Sequence, residues 1–445
     1  MLPSAQVLRT ITVGLALGSI MASVAPARAN PAGIVPTRIQ AEVEYSYEIE
    51  DAAINRERAG VPGTDPQGAL PLIGDLTFHQ IRQLVTPRAE LAVFRNVWVS
   101  FAAPIVLSDS RELRLAGGVD RTTSSTIADG FLPAAGFDAQ AAGGATAGDL
   151  VFRGASRNGV PELRGGVGWA PMNQALDDTK PTWKLGVEGR FAIGHIMSFN
   201  AADPGSETGV STGVHELRLW TSVDRRFRYF EGWFETSVVL PIYSGGNAFY
   251  NDPGFGSLNV QPGQTASVAF GIETYFVDNP VTSSRFSVDL GTRLTAHFEG
   301  RGYSEMWEVF ALAGQSGGPL VLDADPSTAG VQELHYPGIS NIESYLEASG
   351  KIALHARIGP HVTLSALGEL GWKSNHVISF ANAGIDLPTC PTGAPRCEND
   401  NNDVVSPGTQ EVNPLHNQKI DLVGHRYHAD DNRGIVLGAE VQILF

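Results

Sequence analysis

The sequence predicts an all-β fold, an antiparallel up-and-down transmembrane barrel of about twelve strands, with fourteen as the alternative count. Three observations predict it. Stretches of period-two alternation recur along the chain, each near the roughly 9–11 residues that a tilted strand needs to cross a bilayer. The connections between them alternate strictly between short and long. No apolar run after the amino terminus approaches the roughly 20 residues of a spanning helix, and the chain holds 50 glycines and 27 prolines.

The amino terminus comes first. Arg9 precedes an apolar run from Ile11 to Ala25, and Ala27-Arg28-Ala29 forms a small-x-small cleavage site before Asn30. This predicts a secretory signal peptide over residues 1–29 and a mature barrel over 30–445. The signal carries two basic and no acidic residues, which leaves 29 basic against 47 acidic side chains, a formal charge near −18. Such a surface repels nucleic acid and favours cations or neutral solutes.

The first strand, from Thr37 to Glu50, places Ile39, Ala41, Val43, Tyr45, Tyr47 and Ile49 on one face and Gln40, Glu42, Glu44, Ser46, Glu48 and Glu50 on the other. The second and third, Ile81 to Phe94 and Val97 to Val106, turn at Arg95-Asn96. The fourth contains "PELRGGVGW", and the fifth, "TWKLGVEGRFAI", alternates Trp183, Leu185, Val187, Phe191 and Ile193 with Lys184, Glu188 and Arg190. The sixth and seventh turn near Arg225-Arg226, with Leu219, Val223, Phe230, Phe234 and Val238 outward and Arg218, Trp220, Tyr229, Glu231, Trp233 and Glu235 inward. The eighth and ninth turn at Asp278-Asn279-Pro280 and carry Glu273, Tyr275, Asp289, Arg293 and His297 on the wet face. The tenth and eleventh turn at Gly359-Pro360, with Glu343, Glu347, Lys351, His355, Arg357, Glu369 and Lys373 opposite Leu346, Ile352, Leu354, Leu364, Leu370 and Trp372. The twelfth, "GIVLGAEVQILF", ends on Phe445 and places Glu440 inward.

The five connections after even-numbered strands span about two to eleven residues. The other six, near 51 to 80, 108 to 160, 194 to 212, 241 to 264, 300 to 340 and 374 to 433, are long and rich in Gly, Asp, Asn, Pro and Ser. A soluble sandwich has no reason to gather every long loop at one end, whereas outer-membrane barrels have short periplasmic turns and long outer loops. Aromatics fall near both strand ends: Trp169, Trp183, Phe276, Phe286 and Phe445 at one, and Tyr45, Tyr47, Phe101, Phe191, Phe298 and Trp372 at the other, as interfacial girdles require.

With its signal ending, strand series, loop asymmetry and terminal "AEVQILF", nearly the whole mature chain resembles the bacterial outer-membrane β-barrel proteins, porin-like members included. The resemblance implies residence in the outer membrane of a bacterium with two membranes, contact with its lipid, and assembly by the barrel-assembly machinery through the carboxy-terminal strand and Phe445. No stretch identifies a subfamily or one substrate.

The inward faces carry both charge signs. The candidate selectivity residues are Glu42, Glu44, Glu188, Arg190, Glu231, Glu235, Asp289, Arg293, Glu343, Glu347, Lys351, Arg357, Glu369, Lys373 and Glu440. They either pair across the lumen to hold its shape or line a path for small solutes, and the excess of acids predicts a mild preference for cations. Twelve strands lie between barrels filled by side chains and open porins. The lumen is therefore a narrow pore or is closed by the loop after the third strand, whose "FLPAAGFDAQAAGGATAG" either folds inward or packs over the rim.

Cys390 and Cys397 bracket "PTGAPR" and predict a local disulfide in an exported protein. "CENDNND", Cys397 to Asp403, lacks the glycine turn and terminal Glu of a calcium loop and reads as solvated. No cofactor, metal site or nucleic-acid surface is implied. Two segments match in order, "GHIMSFNAADPG" from Gly194 and "NHVISFANAGID" from Asn375, as paired rim elements or as chance likeness. Their His and Ser loosely resemble those of the outer-membrane phospholipase, but the expected His-x-Ser-Asn-Gly run is absent, and i, i+3 spacing points to opposite faces in a strand. Passage of small solutes is the leading function. The alternatives are a lipid-active enzyme using Ser198 or Ser379, and a structural or adhesive barrel acting through its loops.

Overall fold

The computed structural model describes residues 39–58, 70–141, 144–242, 261–323, 333–335, 337–380 and 417–445. Twelve strands form one closed antiparallel ring: β1 Ile39–Glu57, β2 Leu72–Phe94, β3 in two segments Val97–Ala102 and Ile105–Leu115, β4 Glu162–Met172, β5 Thr182–Ala192, β6 His215–Phe227, β7 Phe230–Ile242, β8 Thr265–Asn279, β9 Ser284–His297, β10 Tyr345–Ile358, β11 Val362–Lys373 and β12 Tyr427–Leu444. Each pairs with its sequence neighbours. The seam closes where β12 meets β1, from Gln40 opposite Leu444 to Arg56 opposite Tyr427. A closed ring leaves no unpaired edge, which is what strands in hydrocarbon require. Among the described residues no helix is long and apolar enough to cross a membrane.

The alternation explains the ring. Outward side chains such as Phe276, Phe101, Phe191 and Leu290 are exposed, while the charged partners that alternate with them are buried. This inverts the distribution of a soluble protein and leaves the wall to be solvated by lipid. Along β12 the apolar positions Ile435, Leu437, Ala439, Val441 and Ile443 cover eight residue steps, about 27 Å of strand. Tilted by about 40°, that length rises about 21 Å, most of the roughly 25 Å apolar band of an outer-membrane barrel.

The turns close as the chain chemistry allows. Between β2 and β3, Asn96 takes a left-handed φ of 62°, and between β10 and β11 Gly359 takes 65°. β6 and β7 join through Arg228-Tyr229, three residues later than the sequence predicts, because Phe227 and Phe230 still pair. Tyr229, expected inward, is therefore an exposed turn residue. Pro104 lacks an N–H, and β3 breaks at Ala103-Pro104.

A larger correction concerns the loop end of β1, β2, β3 and β12. These strands continue through positions expected to be loop, to Glu57, from Leu72, to Leu115 and from Tyr427. Their outward residues turn polar there, with Asp51, Asn55, Thr77, His79, Glu112, Arg114, Asp431 and Arg433 replacing the oily row. Their inward residues turn apolar, with Ala52, Ile54, Leu76, Phe78, Leu113, Tyr427 and Ala429 all buried. The oily outward row ends because the strands leave the lipid, so a search for outward apolar alternation stops at the membrane boundary.

Shorter pairings decorate this end without crossing the ring, among them Leu150–Arg153 and Arg157–Gly159 on β3, Gly300–Gly302 with Ser340–Ile342, and His376–Ser379 with β12. The crossing count stays at twelve.

Candidate functional site

The lumen divides into a charged part and an apolar part. In the charged part the inward side chains pair along single strands and across neighbouring ones. Lys351 Nζ lies 2.9 Å from Asp289 Oδ2, and Trp233 Nε1 donates to Asp289 Oδ1 at 2.8 Å, with the Lys351 ammonium 5.2 Å from the Trp233 ring centre. Arg190 bridges Glu188 at 3.2 Å and Glu216 at 3.1 Å. Arg218 meets Glu235 at 2.7 Å, Lys184 meets Asp224 at 3.3 Å, and Arg164 meets Glu162 at 2.6 Å. The Tyr275 hydroxyl donates to Glu231 at 2.5 Å, Ser349 donates to Glu369 at 2.5 Å, and His297 lies 3.1 Å from Glu347.

One wall departs from this balance. Glu44 stands in register with Glu440, with Glu42 beside it on the same face, and all three are buried. Glu44 Oε1 has no hydrogen-bond partner among the described residues. This acidic stripe runs along the seam between the first and last strands.

The apolar part is made by loops turned inward. After β3, Phe131, Leu132, Phe137, Ala139, Val151 and Phe152 are buried. Within "FLPAAGFDAQAAGGATAG", Phe131, Leu132 and Gly136 to Ala139 are buried, as inward folding requires, while Pro133 to Ala135, Gln140, Ala141, Ala145, Ala147 and Gly148 are exposed. The connection between β9 and β10 supplies the helix α1, Trp307–Ala313, buried along almost its whole length. Phe310 packs edge-on against Phe380 at 4.8 Å and Tyr427 at 5.5 Å between ring centres. Together with Ala52, Ile54, Leu76 and Phe78 these side chains form one apolar core across the loop end of the barrel. Burial of such aromatic and aliphatic side chains contributes about 1.5–3 kcal/mol each.

Polar contacts fix the plug in place. Arg157, buried on the short strand Arg157–Gly159, donates to Glu308 Oε1 at 2.8 Å and to Ser198 O at 2.9 Å, and its guanidinium lies 4.9 Å from the Trp307 ring centre. The Glu308 carboxylate passes so close to Gly154 that a Cβ there would fall 2.3 Å from its Oε2. Gly338 has a φ of 82°, and a Cβ on it would lie 2.1 Å from Trp307 O. Arg56 reaches Asp129 at 2.6 Å and stacks 4.9 Å from Tyr427. Asp75 accepts from the backbone N–H groups of Ser125 and Thr126 at 2.9 and 3.0 Å.

Where the two parts meet there is a cavity of about 140 Å³, bordered by Glu48, Arg82 and Arg111 of the wall, Tyr303 and Glu305 of the β9–β10 connection, and Lys373. Lys373 lies 2.5 Å from Glu50 and 4.0 Å from Glu305. Burial acts to raise the Glu305 pKa, but the His376 imidazole and the Lys373 ammonium outweigh it and hold the group at about 2.

The structure places most sequence-predicted site residues on the inward face: Glu42, Glu44, Glu188, Glu235, Asp289, Glu347, Lys351, Glu369, Lys373 and Glu440 are buried, and Arg190, Glu231 and Arg293 are half-buried. Two depart. Glu343 is exposed ahead of β10, where it accepts from Val377 N at 3.2 Å, and Arg357 donates to Gly359 O and Pro360 O at 3.3 and 2.9 Å, capping a turn at the rim. Phe445 is exposed, and its N–H donates to Ile39 O at 2.9 Å. Cys390, Cys397 and the acidic run to Asp403 lie outside the described residues. The matched segments send corresponding aromatics toward the apolar core, since Phe380 is buried in it and Phe199 packs against it. Ser198 donates to Glu207 rather than to a histidine.

Sequence reasoning missed Arg157, Glu305, Trp307 and Glu308. The signal for α1 is present, since Met306, Val309, Phe310 and Ala313 follow i, i+3, i+4, i+7 spacing in a region otherwise read as loop.

No protein-family model matches the sequence, and no curated protein matches it. Among solved structures the chain is similar to an outer-membrane channel from Pseudomonas putida F1, at 7% identity and a TM-score of 0.37 over 94% of this chain and 99% of that one. It is also similar to a FadL homologue from Pseudomonas aeruginosa, at 9% identity and a TM-score of 0.32 over 92% and 91%. A third is the outer-membrane protease OmpT from Escherichia coli, at 7% identity and a TM-score of 0.28 over 94% and 100%.

Proposed function

We propose that this chain is an outer-membrane channel for small solutes whose outer half is gated by its own loops. The observation that carries this reading is a closed ring with lipid-facing apolar residues outside and a continuous charged face inside, where Asp289, Lys351 and Glu188 are buried in the lumen. A barrel serving only as a rigid anchor gains little from so many buried charges, because a buried pair contributes little net stability against an apolar filling. A solute path has direct use for them. The inward loops act as the gate, and conduction follows their displacement from the apolar core.

The lumen favours cations mildly, through the stripe of Glu42, Glu44 and Glu440. The chain is exported by cleavage of residues 1–29, inserted by the barrel-assembly machinery through the strand ending in Phe445, and pinned in one outer loop by a Cys390–Cys397 disulfide. It is not an enzyme in this reading. The lipid-active alternative, which rests on a Ser/His pair, is disfavoured because Ser198 donates to Glu207 and not to a histidine.

The test is single-channel recording from the mature, detergent-folded protein in a planar bilayer under a salt gradient. Discrete openings with a reversal potential on the cation side support the reading. Silence from protein shown to be folded overturns it.

A further inference from the structure

Three groups face the 140 Å³ cavity at the junction of charged lumen and plug with unused hydrogen-bonding capacity. The Nε atoms of Arg82 and Arg111 are buried without hydrogen-bond partners among the described residues, and so is Glu305 Oε2. Asp109 is 3.7 Å from Arg111 Nε and His376 Nε2 is 3.8 Å from Glu305 Oε2, both too long to be hydrogen bonds. Buried polar atoms are nearly always paired, so orphans of both polarities around one cavity point to a partner that supplies an acceptor and a donor together.

The charges around the cavity nearly cancel. Glu48, Glu50 and Glu305 face Arg82, Arg111 and Lys373. A cavity of this kind gives no net advantage to a simple anion or a simple cation, each of which would meet like charges as well as opposite ones. A solute carrying both signs meets opposite charges on both sides. The volume is about four to five waters' worth, at roughly 30 Å³ each, which suits a molecule of five or six heavy atoms.

We infer that this cavity is a binding subsite for a small zwitterion of the amino-acid class, its carboxylate held by Arg82 and Arg111 and its ammonium by Glu305. The inference rests on the reading of the lumen as a solute path and specifies what that path selects. Tyr303 belongs to the connection that carries α1, and its hydroxyl donates to Met197 O at 2.9 Å, so the subsite and the plug share one loop. Occupancy is thereby tied to the position of the gate.

Calorimetric titration of the full mature barrel in detergent tests it, with glycine as probe and acetate and methylammonium as single-sign controls. Folding is verified by heat-dependent gel migration. Glycine is expected to bind, both controls to bind far more weakly, and Arg82→Gln or Glu305→Gln to weaken glycine by about tenfold or more. Arg111→Lys keeps the charge but removes the Nε donor and is expected to weaken glycine as well. Acetate or methylammonium binding as tightly as glycine would overturn the zwitterion assignment, as would no binding to folded protein. Conductance of the same preparation separates the two claims: openings without glycine binding leave the channel standing and remove the subsite, whereas glycine binding without openings does the reverse.

Discussion

Arg157 Nη2 and Glu308 Oε1 are 2.8 Å apart, and both side chains are almost fully buried although they come from different loops. The pair links the loop after β3 to α1 and so ties together two of the elements that fill the outer half of the barrel. A buried ion pair is a weak source of net stability, but loss of one partner strands the other in a low-dielectric site.

Replacement of Glu308 by Gln should therefore release the plug while leaving the ring intact, at a cost of about 3–5 kcal/mol to plug docking. Single-channel recordings should show longer open times than the unmodified chain, and protease should cleave the β9–β10 connection sooner. An unchanged proteolysis pattern would mean that the pair does not hold the loops together.

Gly338→Ala should act on the same docking from the backbone side. At a φ of 82° and with Trp307 O in the way, a methyl group there strains the chain, by about 1–3 kcal/mol. Hydrogen exchange in α1 should accelerate, while exchange in β5 to β8 should not.

Acid should also loosen the plug. Glu305 is held at about 2, below its ordinary value of 4.5, so its contribution is fully present above that ordinary value and is lost as pH falls toward 2. Open probability should rise on acidification from pH 5 to pH 3. Glu305→Gln should remove that component of the pH response; a response of the same size in the variant would assign the effect to other carboxylates.

In the proposed channel the seam stripe sets ionic preference. Substituting Gln for both Glu44 and Glu440 should move the reversal potential toward anions, with conductance retained. Charge reversal at Glu231 and Glu235 should shift it further in the same direction, and no shift in either variant would remove these acids from the solute path.

Lys351→Met leaves Asp289 buried beside Trp233 without its cation and should destabilise the barrel by about 3–5 kcal/mol. The double variant with Asp289→Asn should recover much of that loss. Heat-dependent gel migration reads both.

The ring was legible in the sequence because lipid imposes a strict rule on every outward residue. Val43, Tyr45, Tyr47 and Ile49 could be assigned to one face without knowledge of any partner, and the twelve strands with their loop asymmetry follow from repeating that test. The plug was harder to read. Its residues bury against one another through contacts between loops far apart in sequence, so Arg157 and Glu308, 151 positions apart, carry no local sign of their pairing. The lumenal charges stand between these cases: alternation placed Asp289 and Lys351 inward, but Arg357 shows that an inward parity near a strand end can serve a turn instead.

The apolar core under the outer loops draws on Ala52 and Ile54 from the first strand and on Tyr427 and Ala429 from the last. Those two strands lie at opposite ends of the polypeptide and become neighbours only when the ring shuts. The plug thus has no complete seat on a chain still being inserted, and its packing records that the seam has been zipped. The seat of the plug is therefore a product of ring closure, present in full only where the first and last strands are paired.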